Sequence, residues 1–85
     1  MGEFCYTVLI PRLPMFPNKN VRKFIRYIKG LDGYLGMYPN YPRGTLVFFK
    51  TENEAIRGRN MIRAYPGFEC GIENSIGKVY VRDEG

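Results

Sequence analysis

The sequence contains no histidine and only two cysteines, Cys5 and Cys70. Because histidine and cysteine are the usual ligands of structural zinc, this composition argues against a zinc site. Without histidine, acyl transfer or RNA hydrolysis would need a lysine, a tyrosine or a carboxylate as the base, and no such catalytic arrangement is present. We therefore predict a protein that is not an enzyme and that uses no metal and no cofactor.

Long apolar runs are also missing. No run approaches the roughly 18 residues of a membrane-spanning helix, and the amino-terminal stretch MGEFCYTVLI has no basic region followed by a long apolar core. These absences predict a cytoplasmic, intracellular protein that contacts no membrane. Cys5 and Cys70 are expected at opposite ends of a sheet, so we predict no disulfide between them.

Acidic residues are outnumbered. Eight Asp and Glu stand against thirteen Lys and Arg, which gives a formal net charge of +5. This excess predicts an anionic partner: nucleic acid, a nucleotide, or an acidic protein surface. The 85 residues suffice for one modest core, and the chain has no linker or repeat, so residues 1–85 are predicted to form a single domain.

The first half of the chain predicts a strand followed by a helix. Residues 4–10, FCYTVLI, favour a strand, which the prolines at 11, 14 and 17 end. From Asn18 or Asn20, either of which can cap a helix, apolar residues recur at three- and four-residue spacing as far as Leu31. This spacing predicts an amphipathic helix.

The second half predicts a hairpin, a second helix and a last strand. Two extended segments flank the turn PNYPRG, and Thr51 with Glu54 three residues later is typical of a capping box. The second helix ends near Tyr65, and GKVYVRD forms the last strand. The order βαββαβ predicts an α+β, ferredoxin-like fold with a four-stranded antiparallel sheet and two helices on one face.

Three segments of the predicted strands have a recognisable pattern: VLIPRLP at 8–14, RGTLVFFKTENEA at 43–55 and GKVYVRD at 77–83. In this order, they resemble the first-strand segment, the third-strand segment and the ending of the RNA-recognition motif family. The resemblance implies that aromatic side chains on the first and third strands stack on RNA bases. Leu9 and Leu46 occupy the corresponding positions in this chain, so the usual stacking platform is missing where the family has it.

Strand alternation predicts a substitute platform. If Val8, Ile10, Val47, Phe49, Val79 and Val81 face the helices, the intervening residues face outward. The predicted binding surface for nucleic acid or a partner then consists of outward aromatic residues rimmed by cations: Tyr34, Tyr38, Phe48, Tyr80, Arg12, Arg43, Lys78 and Arg82. The alternative interpretation is a face covered by a partner protein, by a second copy in a homodimer, or by the tail of the chain.

The predicted helices form a second basic surface. Eight cations lie on them: Lys19, Arg22, Lys23, Arg26, Lys29, Arg57, Arg59 and Arg63. This charge favours phosphate groups or an acidic protein surface, although a merely solvated face is the simpler interpretation.

Three hypotheses about function follow. The first is a small non-enzymatic domain that binds nucleic acid, either RNA or a single strand, or a nucleoprotein. The second is an inhibitor or adaptor, encoded by a phage or mobile element, that docks on a protein complex. The third is a sponge that sequesters an anionic nucleotide.

Overall fold

The computed structural model describes residues 3–11, 18–40, 44–67, 72 and 75–81, which follow the predicted order strand, helix, strand, strand, helix, strand. The elements are β1 (Glu3–Ile10), α1 (Lys19–Lys29), β2 (Tyr34–Asn40), β3 (Gly44–Phe49), α2 (Glu52–Ala64) and β4 (Gly77–Val81). In this part of the chain neither helix is long enough to cross a membrane, since α1 has 11 residues and α2 has 13.

Both helices begin at a capping side chain. Asn18 is the cap of α1, and its side-chain oxygen accepts a hydrogen bond from the backbone N–H of Val21 at 3.0 Å. The hydroxyl of Thr51 accepts one from the backbone N–H of Glu54 at 3.2 Å and donates to the Glu54 carboxylate at 3.0 Å. The bonds from Val21 and Glu54 satisfy backbone N–H groups that the first turn of a helix leaves without a partner. The predicted cap at Thr51 is confirmed.

The four strands form one antiparallel sheet in the order β2-β3-β1-β4. One face of this sheet packs against both helices and forms the core. The core comprises Val8, Ile10, Val47 and Phe49 from the sheet, Phe24, Ile28 and Leu31 from α1 and the turn after it, Ala55 and Ile62 from α2, and Ile72. The predicted α+β class with a four-stranded antiparallel sheet and two helices is confirmed.

The second strand contains a β-bulge. Tyr34 pairs with Phe49 and Gly36 pairs with Phe48, so Leu35 between them has no partner of its own. The extra residue reverses the alternation of side chains on one side of the bulge. Tyr34 therefore lies on the helix side, where it packs against the core, and the prediction that it faces outward with Tyr38 is wrong.

The register of β4 is also the reverse of the predicted one. Tyr80 pairs with Phe4 and Lys78 pairs with Tyr6, and these β1 residues share a face with buried Val8. Directly paired residues project their side chains from the same face of a sheet. Lys78 and Tyr80 therefore lie on the helix side, Val79 lies on the open face, and the predicted orientation of these three residues is wrong.

The first strand extends past its neighbour β3. Among the described residues, β1 pairs with β3 only from Tyr6 onward, whereas it pairs with β4 from Glu3 to Thr7. Residues 3–5 and 79–81 therefore form a two-stranded extension of the sheet, called here the β1/β4 ribbon. Because α2 packs on β1 and β3 and α1 lies beside β2, the helix side of this ribbon remains open to solvent.

Gly58 sets the distance between α2 and the sheet. It is buried, and a Cβ atom at this position would overlap the ring of Phe49, which is fully buried itself. We expect Gly58→Ala to lower the free energy of unfolding by up to about 2 kcal/mol, because overpacking of about 1–3 kcal/mol exceeds the roughly 1 kcal/mol gained in helix propensity. Urea denaturation followed by circular dichroism measures the change.

The matched control is Gly36→Ala, since a Cβ atom there meets no atom within 4 Å. Its free energy of unfolding should equal that of the wild type or exceed it by up to about 1 kcal/mol, because alanine loses less conformational freedom than glycine in a strand. Equal effects of the two substitutions would contradict a special role of Gly58.

Candidate nucleic-acid interface

One side of α1 carries only cations, and we call these five residues the α1 basic stripe: Lys19, Arg22, Lys23, Arg26 and Lys29. All five are exposed, whereas Val21, Phe24 and Ile28 on the other side are buried. The helix sequence KNVRKFIRYIK contains no acidic residue that could neutralise them. The stripe follows from the spacing of three and four residues, which places all five charges on one side of a helix.

The stripe is long and regular. At 1.5 Å per residue, the ten steps from Lys19 to Lys29 span about 15 Å. Arg22, Arg26 and Lys29 also line an open depression together with Ile25. An anionic chain lying along α1 would therefore meet several cations in succession.

The cations of α2 do not extend this stripe. Arg57 borders a depression that also includes Asp32 and Glu54, so two carboxylates lie near it. Arg63 donates two hydrogen bonds to the backbone oxygen of Ile72, from Nη2 at 2.6 Å and from Nε at 3.2 Å. Arg63 thus ties α2 to the segment that precedes β4.

Arg59 has a local partner. It donates hydrogen bonds to the side-chain oxygen of Asn60 from Nε at 3.3 Å and from Nη2 at 3.1 Å. The eight helix cations predicted as one basic surface therefore divide into the α1 basic stripe and three arginines in other environments.

The open sheet face keeps two of the four predicted aromatic residues. Tyr38 pairs with Leu46 and is 65% exposed, while Phe48 pairs with Thr7 and is only partly exposed. Leu9, which pairs with Leu46, lies on the same face. This surface is mainly aliphatic in the part of the chain that the structure describes, and it lacks the continuous aromatic platform that strand alternation predicts.

The other two aromatic residues lie on the helix side of the sheet. Tyr34 is partly buried against the core, and this burial raises the pKa of its hydroxyl. Tyr80 stays 56% exposed because it lies on the β1/β4 ribbon. Phe4 faces it across the two strands, with ring centroids 5.3 Å apart in an edge-to-face arrangement.

Lys78 completes this cluster. Its Nζ lies 4.2 Å from the centroid of the Phe4 ring, within the range of a cation–π contact. We call Phe4, Lys78 and Tyr80 the ribbon cluster. The sequence does not indicate that Phe4 is a surface residue, because its alternation with Val8 and Ile10 predicts a buried side chain. Phe4 is 47% exposed because it lies beyond the part of the sheet that α1 and α2 cover.

Four residues that the sequence analysis singles out are not among those that the structure describes. Arg12, Arg43 and Arg82, predicted to rim the sheet face, and Cys70 lie outside the described residues. Cys5 is described and is a free thiol.

A scan against protein-family profiles, a search of curated proteins and a search of solved structures each found no match to this chain. The interpretation of these surfaces therefore rests on their own geometry and charge.

Burial of Tyr34 has a measurable consequence at high pH. Since its pKa is raised in the folded protein, its contribution to stability is present below pH 10, the usual tyrosine value, and is lost as the pH rises above that value. We expect the free energy of unfolding to decrease less between pH 9 and pH 11.5 in Tyr34→Phe than in the wild type, as measured by urea denaturation. Tyr38→Phe, at an exposed tyrosine, should follow the wild-type curve, and a matching change in both variants would contradict the assignment.

The hydrogen bonds of Arg63 predict a structural effect. Arg63→Gln should lower the free energy of unfolding by about 1–2 kcal/mol, because the Ile72 backbone oxygen loses a charged donor. Arg57→Gln removes the same charge from the same helix and should change stability by less than about 0.5 kcal/mol. Thermal denaturation of both variants tests this difference, and an unchanged Arg63→Gln protein would contradict it.

Proposed function

We propose that this protein is a small non-enzymatic domain that binds nucleic acid, with the α1 basic stripe as its contact to the phosphate backbone. The single observation that carries the proposal is the stripe itself: five exposed cations on one side of one helix, with no acid among them. Lys and Arg that neutralise phosphates supply most of the affinity of sequence-independent binding.

We assign the fold to the ferredoxin-like class as part of the same proposal. Two interleaved βαβ units place β1 and β3 at the centre of a sheet ordered β2-β3-β1-β4, and this is the order observed. The likeness to RNA-recognition motifs supports nucleic acid as the ligand. The binding surface differs, however, since the open face presents Leu9 and Leu46 where that family stacks bases.

The geometry of the stripe favours nucleic acid over an acidic protein. Phosphates recur at a regular short interval along a strand, with an axial rise of about 3.4 Å per nucleotide in a duplex. The stripe is similarly periodic, since its cations recur at every third or fourth residue over about 15 Å.

The experiment compares two double variants that lose the same charge. Arg26→Gln with Lys29→Gln removes two cations from the stripe, whereas Lys50→Gln with Arg57→Gln removes one Lys and one Arg elsewhere. Fluorescence anisotropy with a labelled 20-nucleotide strand and with the matching duplex measures the affinity. We expect the stripe variant to bind both about two- to thirtyfold more weakly, the range for two exposed ion pairs.

Salt dependence gives a second measurement. The slope of log affinity against log salt should fall by about 2 in the stripe variant, one for each lost phosphate contact, and should stay unchanged in the control. Equal losses in both variants would show that binding follows net charge and not the stripe. If the wild-type protein binds polyglutamate but neither the single strand nor the duplex, its partner is an acidic protein and not nucleic acid.

A further inference from the structure

We infer that the ribbon cluster is a second contact, one that stacks on an unpaired nucleobase, so that the protein prefers single-stranded to double-stranded nucleic acid. This inference rests on the proposed function and adds to it a site and a class of ligand. The site lies at the β4 edge of the sheet, whereas α1 lies beside β2 at the other edge.

Exposure of the two rings is the first observation. Phe4 and Tyr80 are 47% and 56% exposed although both belong to strands. Neither α1 nor α2 covers their side of the β1/β4 ribbon, because β3 ends where the ribbon begins and α2 follows β1 and β3. Strand pairing places the two rings side by side, with their centroids 5.3 Å apart. Exposed aromatic rings form a surface on which a base can stack.

The charge beside the rings favours an anionic ligand. Lys78, which pairs with Tyr6 just before the ribbon, projects from the same side of the sheet, and its Nζ lies over the Phe4 ring, 4.2 Å from the centroid. Glu3, the acidic residue of the ribbon that the structure describes, belongs to the opposite face by strand alternation. Because the ammonium group occupies one face of Phe4, Tyr80 offers the ring for a flat base, and Lys78 offers the charge for the phosphate of the same nucleotide.

The same charge argues against a second copy as the occupant. Two ribbon clusters that met around a twofold axis would bring two Lys78 ammonium groups together, and like charges across an interface are unfavourable. The bases of a duplex are stacked and paired inside the helix, so they cannot reach the rings. The complementary ligand is therefore a single strand.

The test uses Phe4→Leu and Tyr80→Leu, which keep an apolar side chain at each strand position, with Tyr38→Leu as the control. Tyr38 is a 65% exposed aromatic residue of the same sheet, on the opposite face. We expect Tyr80→Leu to bind a 20-nucleotide single strand about fivefold or more weakly, from the loss of one stacked base. Phe4→Leu should weaken binding in the same direction, because Lys78 and Tyr80 lose the ring that they contact. Duplex affinity should not change, and Tyr38→Leu should bind both like the wild type.

A stacking probe separates base contact from a purely structural role of the rings. In a single strand that carries 2-aminopurine, stacking on a ring should quench the fluorescence of the probe in the wild type, and the quenching should decrease in both ribbon variants. Equal losses of single-strand and duplex affinity, or quenching that persists in both variants, would overturn the inference.

Failure of this inference is distinguishable from failure of the proposed function. If the ribbon variants bind like the wild type while Arg26→Gln with Lys29→Gln weakens binding, the ribbon cluster is not a nucleobase site and the phosphate-binding function stands. If the wild type binds neither the single strand nor the duplex, both the proposed function and this inference are overturned. If the ribbon variants lose affinity for polyglutamate as much as for the single strand, the ribbon cluster is a site for an acidic peptide instead.

Discussion

Close packing of Phe49 beneath Gly58 is the contact on which the rest of the structure depends. Phe49 is fully buried in the central part of the sheet, and α2 can lie on it only because residue 58 has no side chain. This contact fixes the position of α2 over β1 and β3. The helices then cover one part of the sheet and leave the β1/β4 ribbon uncovered.

The two candidate contact surfaces follow from this arrangement for different reasons. The α1 basic stripe results from helix periodicity alone: the side that packs on the core is apolar, and every residue of the stripe lies away from it. The ribbon cluster results from incomplete cover, since Phe4 and Tyr80 share a sheet face with core residues but lie beyond the helices. One surface supplies charge and the other supplies aromatic rings.

Bulges and strand offsets explain where reasoning from strand alternation was wrong. Alternation predicts the face of a residue only while every residue has a partner, and Leu35 interrupts this in β2. In β4 the apolar residues Val79 and Val81 suggest the buried side, yet the register gives that side to Lys78 and Tyr80. Where neither α1 nor α2 covers a strand, the pattern of apolar residues does not predict which of its side chains lie on the helix side of the sheet.

The sequence by itself determined the order of elements, the cap at Thr51 and the α1 basic stripe, because each depends on residues within a few positions of one another. For the cap of α1 the sequence left Asn18 and Asn20 open, and the structure selects Asn18. Only the tertiary structure decided which aromatic residues share a face, that Arg63 holds the Ile72 carbonyl, and that Phe4 is exposed. These features depend on strand register and on the reach of the helices over the sheet. Both are set by contacts between residues far apart in the chain, which local patterns do not encode.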